Sequence, residues 1–110
     1  MNNDYILFLD DIRIPAESKF GDLLLSMNKK IVVVRSSESA ISYIQENGWP
    51  CFISFDHDLG GDDKAMVFLR QLFAMWDDGI AIPDYVIHSA NPVGEDNIDS
   101  YMKTWKKLWE

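Results

Sequence analysis

Two carboxylates flank an imidazole at Asp56-His57-Asp58, directly after the apolar run Ile53-Ser54-Phe55 and directly before Leu59-Gly60-Gly61. Such a stretch reads as a buried strand that delivers charged groups to a turn. The run Tyr5 to Leu9 ends in the same style with Asp10-Asp11-Ile12-Arg13, and Tyr85 to Ile87 ends in His88-Ser89-Ala90-Asn91-Pro92. In an open parallel sheet all strand carboxyl ends lie on one edge, and that edge is where such folds bind ligands. The unusual polar residues of this chain are expected there together.

Asp10 and Asp11, with Asp56 brought from another strand, make the hard-oxygen site that Mg²⁺ or a similar divalent cation prefers, commonly with several waters retained. The plainer alternative is that aspartate simply ends a strand because it favours turns. Recurrence of the same behaviour at a second strand end points to metal. Asp58 is either a fourth acidic member or a cap for the Gly60-Gly61 turn. Arg13 follows the acidic pair closely enough to neutralise it or to fork onto a phosphate with bidentate geometry. His57 and His88 are the only histidines, and an imidazole beside such a site can serve as general base or general acid. Asn91, Gly60, Gly61 and Gly94 either let backbone amides approach an anion or act as turn residues.

The elements that must position these groups follow from apolar spacing. Tyr5 to Leu9 shows no alternation, which suits a strand covered on both faces. Ile12 to Ser18 contains Pro15 and reads as a loop. Phe20, Leu23, Leu24 and Met27 then recur at helical spacing, and Asn28-Lys29-Lys30 closes the helix with cations at the negative end of its dipole. Ile31 to Val34 is a β-branched second strand. Ser36 or Ser37 caps a helix with Ala40, Ile41 and Ile44 on its apolar side, running up to Gly48. Cys51 to Phe55 is the third strand. Asp62-Asp63 can start a long amphipathic helix through Ala65, Leu69, Leu72 and Trp76 that ends before Gly79. Asp84 to Ile87 is the fourth strand, and a last helix starts near Glu95 and Asp96 and finishes among Lys103, Lys106 and Lys107. Core packing accounts for the Met, Trp and Phe content of the last two helices better than a partner surface does.

This βαβαβαβα order argues a three-layer α/β/α sandwich around a parallel sheet. At 110 residues, with 47% apolar and 25% charged, the chain suits a single domain over residues 1–110. Its net charge of −8 argues against bulk nucleic-acid binding, which draws affinity from phosphates neutralised by Lys and Arg. A nucleotide, a short RNA end or a protein partner stays open. The single Cys51 excludes an internal disulfide and a thiolate zinc cluster. The first strand follows Met1 within a few residues and no apolar run approaches the roughly 20 residues that span a bilayer, so a cytoplasmic protein without membrane association is expected.

Asp-Asp closing the first strand, Asp closing the third and Ser-Ala closing the fourth together resemble receiver domains, the phosphoacceptor modules of two-component signalling, with their flavodoxin-like fold. The resemblance implies a cation among Asp10, Asp11 and Asp56 and a phosphoryl contact from Ser89. It departs where receivers carry a fifth strand ending in lysine, because here the chain stops after the helix that follows strand four. The parallel sheet is therefore expected to be truncated to about four strands. The fuller strings Leu9-Asp10-Asp11-Ile12-Arg13-Ile14-Pro15, Phe55-Asp56-His57-Asp58-Leu59-Gly60 and His88-Ser89-Ala90-Asn91-Pro92-Val93-Gly94 are similar to a divergent branch, the cyclic-phosphate-processing receiver-like domains of phages and bacteria.

That resemblance implies metal-dependent hydrolysis of a cyclic phosphate on an RNA end or a cyclic nucleotide. Asp10, Asp11 and Asp56 would hold the cation, Arg13, Ser89 and Asn91 would orient the phosphate, and Asp56, His57 and His88 would carry the chemistry. One tension is internal. His88 and Ser89 are neighbours, so in an extended chain they point to opposite faces. Two rival readings share the same residues: a non-enzymatic binding module, such as a phage-type inhibitor that docks on a host protein or sequesters a cyclic nucleotide, and a receiver switch phosphorylated at Asp56.

Overall fold

Runs of apolar residues with little polar interruption become the strands. The computed structural model of the chain describes residues 2–59, 64–88 and 91–109. In order they form β1 (Tyr5–Leu9), a 3-10 turn (Pro15–Glu17), α1 (Gly21–Ser26), β2 (Lys30–Val34), α2 (Ser37–Asn47), β3 (Phe52–Phe55), α3 (Ala65–Met75), β4 (Asp84–Ile87) and α4 (Pro92–Trp109). The strands make one four-stranded sheet in the order β2-β1-β3-β4, and every pairing is parallel. This is the expected α/β receiver-like architecture with four strands. Among the described residues no helix is long and apolar enough to cross a membrane.

Handedness explains how the layers divide. The chain steps from β1 outward to β2, then returns across β1 to β3 and goes on to β4, and right-handed crossovers put the first helix on one face and the next two on the other. Accordingly Leu24 of α1 joins Ile6 and Phe8 in a small cluster on one face. The opposite face carries the main core, where Leu7, Leu9, Ile53 and Phe55 meet Ala40 and Ile44 of α2, Phe68, Leu69 and Leu72 of α3, and Ile98, Met102 and Trp105 of α4. Strand β1 is buried at all five positions, as its unalternating sequence predicts. The α1 face has the thinner cover: Phe52 and Val86 are only partly buried against that cluster.

The helix ends follow local chemistry. Ser36 caps α2, its side chain accepting from the Ser39 N–H at 3.1 Å, and Gly48 closes the same helix at φ 89°, a conformation that favours glycine. Helix α4 begins at Pro92, a few residues ahead of the expected start at Glu95 and Asp96. Asn91 is the reason, since its side-chain Oδ1 accepts the Gly94 N–H at 3.1 Å and its carbonyl accepts from Glu95 at 2.9 Å. Proline at the first helical position loses no N–H that the helix would have used. The expected helix start at Asp62-Asp63 lies outside the described residues. The aromatic side chains of the later helices do pack inward, Trp105 lying edge-on to Trp49, Phe73 and Trp76.

Candidate metal and phosphate site

Register builds the site before any side chain is considered. Leu9 pairs with Val34 and Phe55, and Phe55 with Ile87, so the next residues form a row across the sheet: Arg35, Asp10, Asp56, His88. The ladder continues into this row. Asp10 donates its N–H to the Val34 carbonyl at 3.2 Å, Asp56 to Leu9 at 2.9 Å and His88 to Phe55 at 2.8 Å. Side chains alternate along a strand, so Asp10 emerges on the face of Phe8, Asp56 on that of Ser54 and His88 on that of Val86. These three share the α1 face. The connections after β1 and β3 leave for opposite faces, which makes the gap between Asp10 and Asp56 the topological switch point where α/β sheets bind ligands.

Asp10 is fully buried and accepts three hydrogen bonds, which leaves one of its roughly four lone-pair sites open. Its Oδ1 accepts the backbone N–H groups of Ile12 at 3.0 Å and Arg13 at 2.9 Å, and its Oδ2 lies 3.0 Å from His88 Nε2. Burial opposes its ionisation, but those backbone N–H bonds and His88 outweigh it and hold the carboxyl below the usual carboxylate range. Asp56 behaves in the opposite way. Burial and the neighbouring Asp10 and Asp11 charges push its carboxyl up to about 6, and Arg13 offsets only part of this. Two buried carboxylates in one pocket resist ionising together, which is the condition that a bound cation relieves.

Arg13 supplies positive charge at that spot. Its Nη1 lies 3.5 Å from Asp10 Oδ2 and 4.0 Å from Asp56 Oδ2. Arg35, the residue next to Asp10 in the row, donates from Nη1 to the Asp10 carbonyl at 3.3 Å and also to the Arg13 carbonyl. The loop that carries Arg13 is thereby pinned at both its N–H and its C=O.

His88 lies beneath the acids. Its ring stacks on Phe8 with centroids 4.7 Å apart, and its Nδ1 is 2.7 Å from Ser54 Oγ. Burial holds the imidazole below its ordinary pKa despite the Asp10 carboxylate beside it, so the ring is neutral. A carboxylate only accepts; the single ring proton therefore sits on Nε2 and is donated to Asp10, and the Ser54 hydroxyl donates to Nδ1. Both nitrogens are spent inside the protein. This arrangement makes His88 a support for Asp10 rather than a group that reaches a ligand, because its two ring nitrogens are already committed to Asp10 and Ser54.

His57 faces the other way. Its ring packs against the first turn of α4 so closely that a Cβ on Gly94 would stand 2.2 Å from its Cγ. Nδ1 is 3.2 Å from Asp58 Oδ1, which also accepts from Lys64 Nζ at 2.8 Å, and the Asn91 side chain bonds to Asp58 as well. Asn91, expected on a phosphate, is thus placed as the cap of α4 and a tie between two loops. Asp58 serves as an orienter of His57. No partner for His57 Nε2 occurs among the described residues.

Asp10, Asp56 and His88 each offer a ligand atom within 4.8 Å of the others. Asp10 and Asp56 are the hard donors of that group and fit a magnesium-like ion; the His88 Nε2 proton does not. Asp11 is half-buried and outside the group, although its charge is felt at Asp56. Ser89 and the glycines Gly60 and Gly61 lie outside the described residues. Lys103 and Lys106 of α4 are bound to Asp99 at 2.7 Å and Asp84 at 3.1 Å; Asp84 opens β4, so Lys106 sits at the far end of that strand from His88. Ser54 and Arg35 were not singled out from sequence. Their signals were present: a lone hydroxyl in the run Cys51 to Phe55, two residues before Asp56, and an arginine directly after β2.

The cyclic-phosphate processing receiver domain model matches residues 5–104. The chain belongs to that family. The match spans β1 through most of α4 and takes in every site residue above. Solved structures agree on the fold of this cyclic-phosphate processing receiver domain. A CheY-like response regulator receiver domain from Methylobacillus flagellatus is 21% identical, with TM-score 0.62 over 83% of this chain and 73% of that one. The bacteriophytochrome response regulator AtBRR is 20% identical, with TM-score 0.64 over 89% and 74%. A yeast Spc42 trimeric coiled-coil fusion is 17% identical with TM-score 0.65, covering 92% of this chain and 65% of that one, so the domain spans just under two thirds of that fusion. No curated protein sequence matches.

Proposed function

We propose that this domain hydrolyses a cyclic phosphate, on an RNA end or a cyclic nucleotide, at the carboxyl edge of its sheet with a divalent cation such as Mg²⁺. The observation that supports this reading is the meeting of Asp10 and Asp56 on one face with the Arg13 guanidinium 3.5 Å and 4.0 Å from their Oδ2 atoms, in a chain whose family processes cyclic phosphates. Asp10 and Asp56 hold the cation, with Asp11 adding charge from the rim. When bound, the cation polarises a phosphoryl oxygen and neutralises charge at the reacting phosphorus.

The protein's own groups do the rest. Arg13 forks onto non-bridging phosphate oxygens. His88, backed by Ser54, keeps Asp10 ionised and aimed. His57, turned toward Gly94 of α4 with Nδ1 held by Asp58, steadies the loop after β3 from the opposite face and does not meet the attacking water. Water oxygen bonds to phosphorus and gives its proton to solvent, one ring P–O bond breaks, and the departing sugar oxygen takes a proton from solvent. Ser89 adds a hydroxyl to the phosphate seat in this reading.

The test is incubation with 2′,3′-cyclic nucleotides and with cyclic dinucleotides, with and without Mg²⁺. Turnover of one class that needs metal and is abolished in Asp56→Asn is the expected result. Tight binding with no turnover would favour a sequestering module, and turnover undiminished in Asp56→Asn would overturn the site altogether.

A further inference from the structure

The seat assigned to a metal already contains a cation, the Arg13 guanidinium. Its Nη1 lies 3.5 Å from Asp10 Oδ2 and 4.0 Å from Asp56 Oδ2, beside the same two carboxylates that would hold a magnesium-like ion. A guanidinium and a divalent ion held by the same carboxylates repel each other, and the burial of Asp10 strengthens that repulsion. The backbone of Arg13 is not free to leave. Its N–H is held by Asp10 Oδ1 at 2.9 Å and its carbonyl by Arg35. The side chain is different: it is 38% exposed, and among the described residues it has no ion-pair partner besides these two carboxylates. A rotation about its side-chain bonds can carry the guanidinium outward while Asp10 keeps both of its backbone donors.

We propose that Arg13 is a tethered stand-in for the metal, and that an oxyanion which draws the guanidinium off Asp10 and Asp56 opens the seat, so that anion and divalent cation bind with positive coupling. The proposal rests on the metal seat proposed above and adds an order to its use. With Arg13 on the carboxylates, the empty domain holds divalent metal weakly. A phosphate gives the guanidinium a better bidentate partner, and the vacated carboxylates accept the ion. Linkage then requires that metal tighten phosphate by the same factor as phosphate tightens metal. The domain would thus avoid committing metal to a site with no substrate in it.

The test is Mn²⁺ binding to the intact domain, measured by loss of the free-ion paramagnetic resonance signal, with and without inorganic phosphate. Wild type, Arg13→Gln, Arg13→Lys and Asp56→Asn are compared, with circular dichroism confirming that each is folded. Arg13→Gln is expected to bind Mn²⁺ alone at least fivefold more tightly than wild type, and Arg13→Lys, which keeps the charge, to stay near wild type. Phosphate should tighten Mn²⁺ severalfold in wild type and leave Arg13→Gln unmoved. If wild type binds Mn²⁺ and Arg13→Gln binds it equally or less well, the stand-in role is wrong and the metal seat survives. If neither binds Mn²⁺, the seat itself is wrong and the coupling falls with it. Should Arg13→Gln not fold, Arg13→Met replaces it with the same expectations.

Discussion

Replacing Asp56 by asparagine should make the metal-free domain more stable at neutral pH, by an amount that the electrostatics of the site sets. Burial and the adjacent acids raise the Asp56 carboxyl from 3.8 to about 6. An acid whose folded pKa lies above its unfolded one holds its proton longer in the folded state, so stability falls as pH rises between the two values. Below 3.8 the group is protonated in both states and contributes nothing. Above about 6 the full penalty is present, roughly 3 kcal/mol at 1.36 kcal/mol per pH unit, or about 2–3 kcal/mol once sharing with the coupled Asp10 is allowed for. Asp10 moves the other way, its stabilisation being lost as pH falls through its depressed value, so the pH profile of wild type alone mixes two opposite slopes.

Subtracting the Asp56→Asn profile from wild type isolates the Asp56 contribution. Urea unfolding in EDTA from pH 4 to pH 7.5 should show the variant's advantage growing by about 2–3 kcal/mol across that range. Adding Mg²⁺ at pH 7 should stabilise wild type and narrow the gap, since an ion that binds only the folded state shifts the equilibrium by mass action. A difference that is flat with pH, or one that shrinks as pH rises, would refute the account of two crowded carboxylates.

Ser54→Ala leaves His88 Nδ1 buried without its donor, and urea unfolding should report a loss of about 1–3 kcal/mol, with ¹⁵N shifts of the His88 ring showing an altered tautomer balance. Gly94→Ala places a Cβ against the His57 ring and should cost about 1–3 kcal/mol; the same change in a His57→Ala background should be nearly neutral, and equal costs in both backgrounds would rule out the clash. Leu24→Ala removes the sole α1 side chain in the buried cluster with Ile6 and Phe8 and should cost about 2–5 kcal/mol, read as a lower urea midpoint.

The strand ends were legible from sequence because the transition from apolar run to acid is local. Tyr5–Leu9 into Asp10, and Phe52–Phe55 into Asp56, need no knowledge of the rest of the chain. Helix α4 was legible in its apolar spacing but not in its start, since the Asn91 cap acts through one side chain that also has turn uses. Tertiary structure decided which neighbour faces the pocket. Asp56 and His57 are adjacent and read alike in sequence, yet alternation sends Asp56 to Asp10 and His57 to Gly94. His88 reads in sequence as a candidate general acid or base, and the register sets Ser54 on one side of its ring and Asp10 on the other. Residue types and order thus determined the four-stranded parallel sheet and the edge that carries the acids. Only the folded sheet determined that Arg13 stands between two of them, because that distance depends on the pairing of β1 with β3 and on a loop held by Arg35 from β2's end.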